Sequence, residues 1–385
     1  MFANNAWIYH ASLIIVAVVA MIMYSQQQEE YSLVDFGKGK KRDRNIYVMT
    51  FFIIGYIVFW AAIRNAFVDT SAYILAYKNI DASSSIISMW KREDGDFLSK
   101  SPLYDTFQLL LKKMGFHWHV YLALVAIITG ACIIYGIGKY TDDVAMSGFL
   151  FITSFNFIWM FNGIRQMLVV AVMFAALRLI SEKKLVRFFI LVFIMYFIHK
   201  TCIILVPIYF IANMKNWSYG IYACILITMI MTLAFPGRIT GMLDSAFDEY
   251  NVAEEFANDD GTNIIRFLVA MVPPVIAYVY RKRLLEFENN EVKVLTNISL
   301  INAGLYAVST VTSGIYMGRL PMYTEIFNLI FLPFLVKRAA KKEIQRTLFL
   351  GLVFFYLALY IYQAATSNLY YSTDLIEALK VFDVN

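Results

Sequence analysis

Ten polar residues of this chain stand where long apolar segments begin or end, and their types suit chemistry on an anionic substrate. They are Arg64, Asp69, Tyr73, Asn162, Arg165, Gln166, His199, Arg266, Arg319 and Glu325. Guanidinium groups bind diphosphate oxygens in pairs and stabilise the charge that develops as a diphosphate leaves. A carboxylate or an imidazole accepts the proton of an attacking hydroxyl. These residues therefore predict the transfer of a group away from a diphosphate.

The arginines supply the predicted substrate-binding groups. In Asn162-Gly-Ile-Arg165-Gln166, we expect the two amide side chains to lie beside the guanidinium on one helix face. Arg165 and Arg319 are expected to bind the diphosphate or the saccharide, with Arg64 and Arg266 in support. Tyr73 follows Asp69 by four residues, so the two share a face if that segment is helical.

Three residues are candidates for the base, and the sequence leaves the choice open between Asp69 and His199, with Glu325 third. His199 lies 15 and 16 residues from Lys184 and Lys215, so its hairpin rises only about 22–24 Å at 1.5 Å per residue. The hydrocarbon layer is about 30 Å thick, which predicts an imidazole below the membrane surface. A polar contact between helices is the alternative role of His199. His117 and His119 are expected to be ordinary interfacial residues.

We expect neither a metal nor a cofactor. No nucleotide-binding loop and no Cys/His metal spacing is present. Asp94-Gly95-Asp96 resembles an Asp-x-Asp metal pair, but a solvated turn is the better interpretation of that sequence.

Lone arginines at helix ends have an alternative role, because such side chains commonly extend to the lipid headgroups. We expect this of Arg178 and Arg238. Arg64, Arg165 and Arg319 differ from them because they recur at one membrane face beside acidic or amide residues.

The elements that must position these residues are membrane helices. Hydrophobic residues make up 60% of the 385 positions and charged residues only 16%. A helix needs about 20 mostly apolar residues to cross the membrane, and the continuous apolar runs indicate helices rather than alternating barrel strands. The predicted fold is therefore an all-α polytopic bundle, a single transmembrane domain over residues 1–385. Twelve spans are expected: 7–24, 46–63, 120–138, 145–161, 164–180, 185–199, 201–214, 217–235, 263–280, 294–317, 321–336 and 347–365.

Positive charge predicts the orientation. More than half of the 33 lysines and arginines follow odd-numbered spans. The positive-inside rule makes that side cytoplasmic, so both termini face outward. The net charge of +5 then reflects contact with anionic lipid and not nucleic-acid binding. The first span lacks a cleavage site and is expected to be retained.

Two outer loops are long, at residues 64–119 and 236–262. The first contains Ser101-Pro102 followed by apolar residues at helical spacing, which predicts an amphipathic helix capped by Ser101 and lying on the membrane surface. The second is acidic and is expected to be solvated. Cys132, Cys202 and Cys224 lie in apolar spans and imply no disulfide.

These motifs resemble the EpsG family of Wzy-type polysaccharide polymerases. The resemblance rests on Arg64 with Asp69 and Tyr73, on Asn162-Gly-Ile-Arg165-Gln166, on His199-Lys200-Thr201, and on Gly318-Arg319 leading to Phe331-Leu-Pro333. It covers about residues 46–340. This chain has Phe67-Val68-Asp69 where the family often has Gly-Thr-Asp.

The resemblance implies an inverting, metal-independent membrane glycosyltransferase of the C type (GT-C-like), in the plasma (inner) membrane. Such enzymes join undecaprenyl-diphosphate-linked oligosaccharide repeat units on the outer face and release undecaprenyl diphosphate. The products are O-antigen, capsule or exopolysaccharide. The expected partners are the lipid-linked glycans, membrane lipids, and the chain-length regulator and flippase of the same pathway, with no nucleic acid.

Two other functions remain open at this point. A ligase would move finished polymer to another acceptor, and the sequence does not separate it from a polymerase. A transporter or flippase would move lipid-linked sugars without chemistry, but transporters tend to carry repeated halves and midplane sites. Here no repeat is visible and the polar groups gather towards one face.

Overall fold

The structure is a computed structural model that describes residues 44–90, 101–234, 261–287, 289–366 and 370–374, together with position 14. Three predictions fall outside these residues: nearly all of the first span, the segment 236–260, and the Asp94-Gly95-Asp96 turn.

The described residues are mainly helical and form no strand, as predicted, with one isolated β-bridge between Ala66 and Ser372. The α-helices are, in chain order, α1 Arg44–Ala62, α2 Thr70–Lys78, α3 Ile86–Trp90, α4 Pro102–Lys113, α5 Trp118–Tyr140, α6 Val144–Thr153, α7 Ile164–Ala175, α8 Leu177–Ser181, α9 Leu185–Tyr196, α10 Leu205–Ala212, α11 Tyr219–Ala234, α12 Ile264–Ala270, α13 Val272–Val279, α14 Arg281–Leu284, α15 Asn290–Thr310, α16 Met322–Glu325, α17 Asn328–Phe334 and α18 Lys342–Thr366. Shorter 3₁₀ segments occupy Asn156–Met160, Lys200–Ile204 and Met317–Arg319, and a π-helical turn occupies Leu335–Ala339.

Three helices among the described residues are long and apolar enough to cross a membrane, namely α5, α15 and α18. A fourth span results if Met317–Glu325 and Asn328–Ala339, which are bent by 48°, are counted as one. The other predicted spans from the second onward coincide with shorter apolar helices, several of them interrupted. The predicted span 164–180, for example, is divided between α7 and α8.

The contacts divide the described chain into two compact units. The first contains the described residues up to Ala175 and those from Glu343 onward; the second is Ala176–Lys342. In the first unit, α5 packs against both α1 and α7.

In the second unit, α15 is the central helix and packs against α10, α11 and α12. It is also the most polar of the long helices, and 83% of its apolar window is buried within the protein. Buried amides explain how it tolerates polarity: Asn297 donates to the carbonyls of Ala212 and Met214, and Asn302 donates to Pro321. Such contacts satisfy polar groups between membrane helices.

Ion pairing also occurs in the second unit. Arg178, which we expected at the lipid headgroups, instead has its Nε 3.7 Å from Glu291 and 3.9 Å from Glu182.

Ser372 and Thr373 form hydrogen bonds with the turn that follows α1. The amides of Asn65 and Ala66 donate to the Ser372 carbonyl, and the Ser372 amide donates back to Ala66. Thr373 Oγ1 donates to the Ile63 carbonyl at 2.7 Å. These bonds hold the turn that leads from Arg64 to Asp69.

Candidate functional site

The first unit brings Tyr73 to the beginning of α7. The Gly163 amide donates to the Tyr73 hydroxyl at 2.8 Å, and the Ile164 amide also interacts with it. Gly163 has φ +66°, a conformation that suits glycine and that turns the chain into α7. Amides at the beginning of a helix form a place where anions bind. In this structure a phenolic oxygen occupies that place.

Arg165 lies one residue into α7 and is held from the amphipathic helix α4. Its Nη1 donates to Ser101 Oγ at 2.9 Å, and its guanidinium lies 5.9 Å from the centre of the Tyr104 ring. Ser101 occupies the predicted N-cap position of α4, but its side chain makes no capping bond. The predicted capping role of the Ser101 side chain is therefore wrong, because that hydroxyl binds Arg165 instead.

Tyr104, whose ring lies against the Arg165 guanidinium, also contacts Tyr121. Its hydroxyl lies 2.7 Å from that of Tyr121, and the ring is buried. Burial raises the pKa of Tyr104 well above its ordinary value, and the nearby Tyr121 raises it further. The phenol therefore remains neutral beside the guanidinium.

Arg64 is almost completely buried, with 1% of its surface exposed. Its Nε donates to Thr70 Oγ1 at 3.0 Å, its Nη1 donates to the Ala61 carbonyl, and its guanidinium lies 5.6 Å from the Phe161 ring centre. Burial lowers the pKa of Arg64, while phenolic oxygens, that of Tyr73 first, raise it. The guanidinium thus joins the end of α1 to the beginning of α2.

Asp69 precedes α2 and interacts electrostatically with Tyr73. Burial raises the pKa of the Tyr73 phenol, Asp69 raises it further, and Arg165 opposes this. The Tyr73 amide donates to the Asp69 carbonyl at 3.2 Å, which is the predicted spacing of four. Asp69 is only partly buried and makes no side-chain capping bond. Val68, in the turn before it, has φ +43°, which is strained for a β-branched residue.

The two amides of the Asn162–Gln166 motif have different environments. Gln166 is buried in α7. The Asn162 Oδ1 atom is buried without a hydrogen-bond partner, and such an acceptor is costly unless a ligand or water satisfies it.

The second unit brings Glu325 and Arg266 to Tyr306 of α15. The Tyr306 hydroxyl donates to Glu325 Oε2 at 2.7 Å. Arg266, on α12, is exposed and interacts electrostatically with both. Glu325, Tyr306 and Arg266 thus form one acidic, phenolic and cationic cluster.

Gly318, the residue before Arg319, packs closely against Thr262. Thr262 donates its amide to the Ser309 carbonyl, and its Oγ1 lies 2.6 Å from where a Cβ on Gly318 would stand. A side chain at Gly318 would therefore displace Thr262. This contact explains why glycine precedes Arg319.

His199 stands immediately before the 3₁₀ segment Lys200–Ile204. Its Nδ1 lies 3.3 Å from Thr201 Oγ1, which in turn lies 2.9 Å from the Tyr323 hydroxyl. His199 is half-buried. The chain of contacts fixes the ring, in agreement with either predicted role.

Several residues of these sites were not predicted. Tyr306 lies in a predicted apolar span and Tyr104 in the predicted amphipathic helix. A tyrosine within an apolar run gives no sign of its partner. Within the described residues, no group of three or more His, Cys, Asp or Glu side chains could hold a metal ion.

The apolar helices that are long enough to cross a membrane indicate a helical membrane protein. A family model described as the EpsG family matches residues 47–375, and the chain belongs to this family of Wzy-like polysaccharide polymerase-related proteins. The match extends past residue 340, where the sequence motifs ended, and includes Ser372, which is bonded to Asn65. The comparisons with curated proteins and with solved structures found no match. The chain is thus a polymerase-like membrane protein of polysaccharide biosynthesis.

Proposed function

We propose that this protein is an inverting glycosyltransferase of the C type, with twelve spans, that polymerises undecaprenyl-diphosphate-linked repeat units. The active face would be the outer face of the plasma membrane, with both chain termini on that side. The observation that carries the proposal is the Tyr73 hydroxyl, which accepts from the Gly163 amide at the beginning of α7 and interacts electrostatically with the Arg165 guanidinium.

The diphosphate would bind at this helix end. Its oxygens would accept from Arg165 and, in place of the Tyr73 hydroxyl, from the amides of Gly163 and Ile164. The unpartnered Asn162 Oδ1 would accept from a hydroxyl of the adjoining sugar. Helix N-termini and guanidiniums both favour negative charge. Arg64 would act as a positioning residue, because its hydrogen bonds hold the turn that carries Asp69.

In the reaction, the terminal hydroxyl of the new repeat unit attacks the anomeric carbon of the growing chain. The bond from that carbon to the diphosphate oxygen breaks, and undecaprenyl diphosphate leaves with the electron pair. A base takes the hydroxyl proton. We propose Asp69 for this role because, of the three candidates, it is the one that shares the environment of Tyr73 and Arg165. Within the second unit, His199, Arg319 and the Glu325–Tyr306–Arg266 cluster would form a saccharide-binding site of their own.

The transfer needs no metal in this proposal, since guanidiniums and helix amides neutralise the leaving group. The expected partners are the lipid-linked glycans, the surrounding lipids, and the chain-length regulator and flippase of the pathway.

The decisive experiment uses the full-length protein, purified and supplied with a repeat unit on undecaprenyl diphosphate. A ladder of products, with one undecaprenyl diphosphate released per step, is the expected result. The Arg165→Ala variant should give no ladder, and Arg178→Ala, which changes an ion pair of the second unit, should behave as the parent.

The rival functions give other products in this assay. Transfer onto a different acceptor without a ladder would show a ligase. Passage of the lipid-linked unit across a vesicle membrane without any new glycosidic bond would show a transporter.

A further inference from the structure

A cavity of about 540 Å³ lies between the end of α1 and the beginning of α5. Its wall is mostly hydrocarbon, from Phe59 and Ala62 on one side and Val120 and Ala123 on the other. The Phe59 ring is 47% exposed, so the wall continues the apolar surface of the helices. Cavities that bind small molecules have this size and are mostly apolar with a few placed polar groups.

The polar end of the cavity is formed by His119 and Asp374. His119 Nε2 lies 3.0 Å from Asn65 Oδ1, and Asn65 Nδ2 donates to Asp374 Oδ1. Because Asn65 uses its nitrogen for Asp374, its oxygen faces His119, and Nε2 of His119 must be the donor. His119 Nδ1, 3.2 Å from His117 Nδ1, then accepts from His117.

The four side chains therefore form a directional chain of hydrogen bonds that runs from His117 to Asp374. The chain ends on a carboxylate, which is an acceptor with oxygen capacity beyond the single bond from Asn65. The carboxylate is also held in place, because Thr373 beside it is bonded to the Ile63 carbonyl. Among the described residues, no lysine or arginine forms an ion pair with Asp374.

We propose that this cavity binds a neutral glycosylated membrane lipid, with a hydrocarbon chain along α1 and α5 and a sugar hydroxyl donating to Asp374. A hydrocarbon chain matches the apolar wall, since burying it removes apolar surface from water. A hydroxyl-bearing sugar head matches an end that accepts hydrogen bonds and carries negative charge. A phosphate head would meet the exposed carboxylate as a like charge. The site thus differs in chemistry from the Arg165 site, whose proposed ligand is a diphosphate.

The test uses the full-length protein in nanodiscs of phospholipid and an alkyl β-glucoside that carries a diazirine in its chain. Photolabelling should fall on peptides from the end of α1 and the beginning of α5. Unlabelled octyl glucoside should compete, and octyl phosphate should not.

Three variants locate the binding. Ala62→Trp fills the cavity and Asp374→Asn removes the charge while keeping the shape and the acceptor for Asn65. Ala223→Trp adds the same bulk on an exposed face of α11 as the matched control. Ala62→Trp should lower labelling about tenfold or more, which corresponds to about 1.4 kcal/mol. Asp374→Asn should admit octyl phosphate as a competitor, and Ala223→Trp should change nothing.

Equal labelling of the parent and of Ala62→Trp would overturn the proposal. So would equal competition by octyl phosphate and octyl glucoside in the parent protein, or labelling that never exceeds that of the exposed face of α11. The Asp374→Asn arm keeps the test valid if the tryptophan variant does not fold. Because the readout is labelling and not polymer, its outcome is independent of the proposed polymerase activity.

Discussion

Replacement of Arg165 by lysine keeps the positive charge but removes the planar fork of donors. In the structure Nη1 is held by Ser101, and the guanidinium lies against the Tyr104 ring. These contacts fix the fork, which interacts electrostatically with Tyr73, the residue bonded to the Gly163 amide. A lysine would offer a diphosphate one bond where the guanidinium offers two.

The magnitude follows from that difference. A hydrogen bond to a charged group contributes about 1.5–3 kcal/mol, so Arg165→Lys should lower kcat/KM about 10- to 150-fold. Arg165→Ala loses both bonds, about 3–6 kcal/mol, and should lower it about 150- to 20,000-fold. Ser101→Ala removes only the anchor of the fork and leaves both bonds to the diphosphate, so it should lower kcat/KM less than Arg165→Lys does.

The assay measures release of undecaprenyl diphosphate by purified variants at subsaturating lipid-linked repeat unit. Thermal unfolding of each variant in the same detergent controls for folding. Arg178→Lys is the matched control, because it makes the same chemical change at an ion pair within the second unit. The reasoning is refuted if folded Arg165→Lys and Arg165→Ala both keep more than half of the parental kcat/KM.

Three further predictions concern the base and the backbone. Asp69→Asn should slow turnover about 10²- to 10⁴-fold with little change in donor binding, and near-normal turnover of this variant would exclude Asp69 as the base. His199→Ala should mainly raise KM. Gly318→Ala should destabilise the protein by about 1–3 kcal/mol, because the new Cβ would meet Thr262 Oγ1. Adding Thr262→Ala should restore the unfolding midpoint, and a double variant that is no more stable than Gly318→Ala would contradict this contact. Val68→Gly should stabilise by about 0.5–1 kcal/mol by relieving φ +43°, and a lower unfolding midpoint would show that the turn is unstrained.

Those parts of the protein that depend on local pattern could be predicted from the sequence. The all-helical class, the membrane character and the EpsG family are confirmed, because apolar runs and the Asn162–Gln166 motif are properties of contiguous residues. The helix α4 begins after Ser101, as its Ser-Pro start predicted. The ends of the spans were less predictable, since α7 and α8 form one apolar run in the sequence and two helices in the structure.

The partners of the polar side chains were decided by the tertiary structure. Ser101 could be expected to cap its own helix, but it binds Arg165, 64 residues away. Tyr73 meets Gly163 across 90 residues, and Asn65 meets Asp374 across 309. A hydrogen bond depends on the position of two atoms to within a few tenths of an ångström, and such positions result from the packing of whole helices. The sequence by itself determined which residues could do chemistry and which kind of helix carries them. Only the folded chain decided which of them meet, because the bonds that join them are made between segments whose separation along the chain carries no signal of contact.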